Sequence, residues 1–207
     1  MKSIHTLLYV HDPMCSWCYG FKPTLTKIIS ELKGKINIQY MLGGLAPDTD
    51  KDMPLSLQNS IKSNWKQIEK TIPNIKFNYD FWALCKPRRS TYPSCRAVIA
   101  ATKQHHKYEK LMIEAIQSAY YLHSQNTSDY NVLYELAKAI ELDVDLFFKD
   151  IHSNKINIEL NNQISHCRII GADSFPSLFL STQNSYQEIA LDYNDAKISL
   201  EHIKAFI

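Results

Sequence analysis

An α/β chain is the expectation from three features of the 207-residue sequence. A strand, a helix and a second strand follow one another as far as Leu42, with Cys15 and Cys18 at the start of the helix. A long tract of helical patterns with no clear strand comes next. A proline-opened β-hairpin and a closing helix end the chain.

Residues 4 to 10 are apolar and β-branched enough for a buried strand. From Cys15 to Lys33, Phe21, Leu25, Ile28, Ile29 and Leu32 recur at helical spacing, and Gly34 is a natural stop. Pro23 lies inside this helix and is expected to bend it. Ile36, Ile38, Tyr40 and Leu42 then alternate as a second strand closed by Gly43-Gly44. Two strands joined through a helix should be parallel with a right-handed crossover.

The Pro- and Asp-rich stretch Ala46 to Pro54 marks a boundary. Beyond it, three helical faces stand out: Leu111, Ala115, Ala119 and Leu122; Tyr130, Leu133, Tyr134, Ala137 and Ile140; Val144, Phe147, Phe148 and Ile151. Residues 46–152 are therefore expected to form a helical insertion, and 1–45 with 153–207 a discontinuous α/β domain. A helix from Asn154 to Ile170 stops at Gly171, the turn and strand Ser174 to Leu180 pair with Tyr186 to Ala190, and Asp195 to Phe206 closes the chain.

The chemistry is concentrated in Tyr9-Val-His-Asp-Pro-Met-Cys-Ser-Trp-Cys-Tyr-Gly-Phe21. A helix N-terminus carries unpaired N–H groups and the positive end of the dipole, so a thiol there is favoured as thiolate, with a pKa of roughly 3.5 to 7.5 instead of about 8.5. Cys15 is then the nucleophile, and Cys18, one turn further in, resolves the mixed disulfide. A CxxC is also half of a zinc site, but no second CxxC, CxH or HxxxH pair accompanies it and His105-His106 are adjacent, so no metal is expected. His11, four residues before Cys15, is an auxiliary candidate able to donate to the thiolate; the plainer alternative is a hydrogen-bonded strand-end histidine. Trp17, Tyr19 and Lys22 are expected to rim the site. Five cysteines fit a full disulfide framework poorly, and Cys85, Cys95 and Cys167 read most simply as small buried hydrophobes.

A net charge of +2 gives no electrostatic case for nucleic acid, and Lys86-Pro-Arg-Arg89 reads as a solvated loop. No apolar run is long enough for a bilayer, and the N-terminal apolar stretch ends too soon at His11 and Asp12 for a secretory signal. A cytoplasmic protein with neither membrane nor nucleic-acid partners is the expectation.

The element order resembles the thioredoxin fold, and the helical tract inserted between its halves resembles the DsbA family. Asp12-Pro-Met-Cys-Ser-Trp-Cys-Tyr-Gly-Phe21 is especially similar to the FrnE-like, protein-disulfide isomerase branch of that family. The resemblance implies a thiol–disulfide oxidoreductase acting on protein disulfides through Cys15 and Cys18. Phe175-Pro176 matches the family's cis-proline position, and Ser16, Trp17, Phe175 and Pro176 would then form the substrate groove. Relatives usually carry a smaller residue before that proline, so Phe175 is expected to narrow or grease the groove. Ser90 to Val98 is similar to a helix-opening segment of FrnE-like relatives, which makes Cys95 a candidate third thiol near the site; a buried helix cysteine is the plainer reading. Trp17 stands where the strongly oxidising branch has His, which implies a milder couple. The resemblance implies no bound cofactor, with glutathione or a thioredoxin-type reductant recycling the dithiol. Two alternatives remain: a glutathione-dependent transferase or isomerase of the kappa-class or 2-hydroxychromene-2-carboxylate type, whose members have Ser at the Cys15 position, and a non-enzymatic holdase or partner-binding module.

Overall fold

The computed structural model describes residues 5–182 and 185–207; Ile4, the expected first residue of the opening strand, lies outside them. The central strand β1 (Thr6–His11) pairs in parallel with β2 (Asn37–Leu42) and antiparallel with β3 (Ser177–Ser181), and β3 carries β4 (Tyr186–Ile189) on its other side. Because side chains alternate along a strand, β1 feeds two cores. Leu7 and Tyr9 meet Phe21, Leu25 and Ile28 of helix α1 (Ser16–Leu32), while Leu8 and Val10 meet Cys167 and Phe179 on the opposite face. This double burial explains a near-continuous apolar run.

Gly44 ends β2 at φ +64°, where a Cβ would come within 2.4 Å of Ile164. The helical tract that follows comprises α2 (Leu55–Thr71), α3 (Phe81–Leu84), α4 (Tyr92–Gln104), α5 (Lys107–Leu122), α6 (Tyr130–Ala139) and α7 (Val144–Ile151). Its centre is Trp65, fully buried and stacked on Phe77 at 4.8 Å. Burying a ring of this size contributes roughly 5 kcal/mol, partly offset by an indole Nε1 with no hydrogen-bond partner.

On α5 the inward face differs from the expected one. Met112, Ile113, Ile116 and Tyr120 are buried, whereas Leu111 and Leu122 are exposed. The helix carries apolar residues on more than one stripe, and the stripe bearing Tyr120 and Tyr121 wins by joining the aromatic cluster around Trp65. On α7, Phe147 and Ile151 point inward while Phe148 is exposed.

Helix α8 (Asn154–Ile169) lies across the seam. Ile156, Leu160 and Ile164 enter the core of the helical tract, whereas Cys167 packs beneath the sheet. Met14 and Leu42 also join the helical core, so insertion and sheet share packing across the expected boundary. Helix α9 (Ala196–Lys204), capped by Asp195, closes the chain against α1.

Candidate active site

The turn between β1 and α1 is built on Asp12-Pro13. The Met14 N–H donates to Asp12 Oδ1 at 2.8 Å and the Cys15 N–H to the Asp12 carbonyl at 3.0 Å. This Asx-type turn delivers Cys15 as the N-cap of α1, its sulfur accepting from the Cys18 N–H at 3.4 Å. The Cys15 thiol also reaches the Phe175 carbonyl at 3.4 Å. Cys15 retains 6% of its surface and Cys18 only 1%. Burial above all, with Cys15 next to it, pushes the Cys18 thiol well above its ordinary value. All five cysteines are free thiols.

Trp17, Phe175, Pro176, Ser177 and Tyr193 line one side of a groove of about 680 Å³ that continues along β4. Trp17 packs against Tyr193 at 4.9 Å, and Ser16, half-exposed, does not line the groove. The Phe175-Pro176 peptide is cis. The Phe175 ring leans on Gly43, where a Cβ would sit 2.0 Å from it, and it packs against the cluster under the sheet. Phe175 therefore presents its carbonyl, more than its ring, to Cys15. Of the other expected rim residues, Tyr19 stacks on Tyr121 at 4.6 Å and Lys22 pairs with Glu114 at 3.1 Å, so both turn toward the helical tract.

Sequence reasoning passed over the Asp12 carboxylate. It is fully buried and accepts from the Leu45 N–H at 2.7 Å, the Thr91 hydroxyl at 2.6 Å and the Cys95 thiol at 3.5 Å, besides Met14. Burial raises its pKa while these donors pull the other way. The carboxylate ties the start of α1 to the loop after β2 and to the start of α4. An Asp-Pro whose Asp stands three residues ahead of the helix cap was the available signal. Cys95 is a buried donor in this cluster, and burial plus the Asp12 charge push its thiol well up. Cys85, expected to be buried, is only half-buried, with its thiol 3.0 Å from the Ser124 carbonyl, and Cys167 is buried.

His11 forms neither of the expected hydrogen bonds. Its ring is 1% exposed, stacks on Tyr9 at 4.9 Å and meets Tyr40 edge-on, and both nitrogens lack partners. Burial lowers its pKa to about 3, so it is a neutral packing element. Among the described residues no three His, Cys, Asp or Glu side chains converge on a metal site, and no helix is long and apolar enough to cross a membrane.

A mixed four-stranded sheet, a CxxC capping its first helix and a helical tract inserted before the hairpin define a DsbA-like thioredoxin fold. The chain belongs to the thioredoxin family, whose model matches residues 8–199. It is similar to a candidate protein disulfide isomerase from Nitrosomonas europaea, with a TM-score of 0.85 at 22% identity over 98% of this chain and 97% of that one. It is also similar to the cytosolic disulfide reductase DsbM from Pseudomonas aeruginosa, with a TM-score of 0.74 at 22% identity over 89% of each chain; that protein has also been solved with GSH. At such identities the likeness is one of fold. Curated relatives include the ClpXP adapter protein SpxH of Halalkalibacterium halodurans, 23% identical over 86% of this chain and 58% of that protein. SpxH of Bacillus cereus is 25% identical over 90% of this chain and 62% of that protein. The chain thus spans about three-fifths of the length of these relatives.

Proposed function

We propose that this protein reduces disulfides in protein substrates through Cys15 and Cys18, in the cytosol, with glutathione as the recycling thiol. The observation that carries the reading is the Cys15 thiol at the cap of α1, facing the Phe175 carbonyl beside a groove of about 680 Å³, with Cys18 buried one turn deeper. An extended substrate lies along Phe175 and β4 while Cys15 attacks its disulfide, and Cys18 then displaces the substrate thiol. Reduction is favoured over oxidation because Trp17, inside the CxxC, carries no charge to stabilise a Cys15 thiolate. A couple gains oxidising power from a stabilised thiolate. The cytosolic reductase DsbM, solved with GSH, supports the compartment and the recycling thiol.

Trapping tests the mechanism. Cys18→Ser should accumulate reductant-sensitive adducts of substrate proteins on Cys15, and Cys15→Ser should form almost none. Equal trapping by both variants would sink the attack-and-resolve reading. The SpxH relatives favour a second reading, an adapter that presents substrates to a protease. A double Cys15→Ser, Cys18→Ser variant that keeps full partner binding and biological output would move the adapter reading ahead.

A further inference from the structure

Cys18 does not line the substrate groove. It lines a second cavity, of about 30 Å³, between α1 and α5, walled by the Tyr9 and Tyr40 rings and the Gln117 side chain. A water needs roughly 10–15 Å³ and two to four polar partners. The cavity meets both conditions, with the Cys18 sulfur, two phenols and an amide around it. Tyr9 and Gln117 are 3% and 4% exposed, and the Tyr9 hydroxyl faces the Cys18 thiol. At the mouth, the half-exposed Lys22–Glu114 pair bridges α1 to α5 at 3.1 Å.

We propose that this cleft is the proton exit of Cys18. As Cys18 attacks the mixed disulfide on Cys15, its proton passes through water between Tyr9, Tyr40 and Gln117 to the Glu114 carboxylate, which Lys22 fixes at the surface. The inference rests on Cys18 being the resolving thiol. The Cys18 sulfur forms a bond to Cys15, the bond from Cys15 to the substrate sulfur breaks, and the substrate leaves as a thiolate that takes a proton from solvent on the groove side. The Cys18 proton departs on the other side, and no further oxidant or reductant enters. Burial makes such a route necessary, because it holds the Cys18 thiol in its protonated form. The other ionisable groups near this thiol are Cys15 at the cap of α1, Asp12 ahead of it, Tyr121 on α5 and Tyr193, and Lys110 on α5 lines the same cleft. Glu114 is the carboxylate among the residues that line the cleft.

Stopped-flow reaction of the reduced full-length protein with dithiobis(nitrobenzoate) separates the steps, since Cys15 attack releases one nitrothiobenzoate and Cys18 resolution a second. Glu114→Gln removes the acceptor at the surface, and Gln117→Leu makes the cleft apolar. Both should leave the first phase unchanged and slow the second by about tenfold or more, within the range of positioned acid–base effects. Small buffer bases such as formate should restore the second phase of Glu114→Gln and not that of Gln117→Leu. Equal second phases in the wild type and both variants would overturn the proposal, as would parallel slowing of both phases without buffer rescue. A wild type lacking the second phase would instead overturn Cys18 as resolving thiol, so the two failures are distinguishable.

Discussion

Replacing His11 by phenylalanine should flatten the acid limb of the stability curve. The imidazole is sealed between Tyr9 and Tyr40 with no partner on either nitrogen, and its pKa falls from 6.5 to about 3. A depressed folded value means that the contribution is fully present above pH 6.5 and is lost as pH falls toward the folded value, because the unfolded chain takes up the proton first. At about 1.4 kcal/mol per unit, the gap sets a ceiling of roughly 5 kcal/mol, comparable with the whole stability of many domains. Urea midpoints of wild type and His11→Phe at matched ionic strength from pH 7 to pH 4 measure this directly. Carboxylates also titrate in that window, so the informative quantity is the difference between the two proteins. Asp12, with a raised value, acts in the opposite sense: its contribution is present at low pH and lost as pH rises through the folded value. The gap between the curves should widen in favour of the variant below pH 6, with a slope approaching about 1.4 kcal/mol per pH unit. At pH 7 the variant should be at least as stable, since two unsatisfied buried nitrogens disappear. Parallel curves would refute the buried neutral histidine. Loss of disulfide reduction in a folded variant would show that the imidazole serves Cys15 after all.

Asp12→Ala strands the Met14 and Leu45 N–H groups, at a cost of roughly 3 kcal/mol, or a fall in Tm on the order of 10 °C by calorimetry; a Tm within about 2 °C of wild type would contradict the anchoring role. Gly43→Ala places a methyl group 2.0 Å from the Phe175 ring and must displace the segment whose carbonyl faces Cys15. Insulin-reduction turnover should fall several-fold with little change in circular dichroism, and adding Phe175→Val should recover it; a fully active Gly43→Ala would show that the Phe175 position is unimportant.

The α/β half of the molecule was legible because its patterns are strong and local. β1 is buried on both faces and reads as a continuous apolar run, and α1 repeats Phe21, Leu25, Ile28 and Leu32 on one face before Gly34. The helical tract was legible only in part. In α4, Pro93 through Ala101 are all buried, so the helix has no polar face to create a periodicity. In α2 the buried side is reduced to Trp65 and Ile68. The wrong face of α5 was chosen because Leu111 and Leu122 look more apolar than Tyr120 and Tyr121, which the aromatic cluster buries. At the candidate site, Cys15, Trp17 and the Phe175-Pro176 segment were named from sequence and lie together. Asp12 was not singled out, because its partners Leu45, Thr91 and Cys95 come from segments that only the tertiary fold brings to it.

The claim that this dithiol works as a reductant is tested most directly by its reduction potential. The fraction of the Cys15–Cys18 pair in disulfide form, with Cys85, Cys95 and Cys167 replaced by Ala to isolate the pair, is followed across a series of glutathione ratios at pH 7. A value near that of thioredoxin, about −270 mV, is expected of a pair whose intervening Trp17 offers the Cys15 thiolate no charge. A value near −120 mV, characteristic of a strongly oxidising pair, would contradict it.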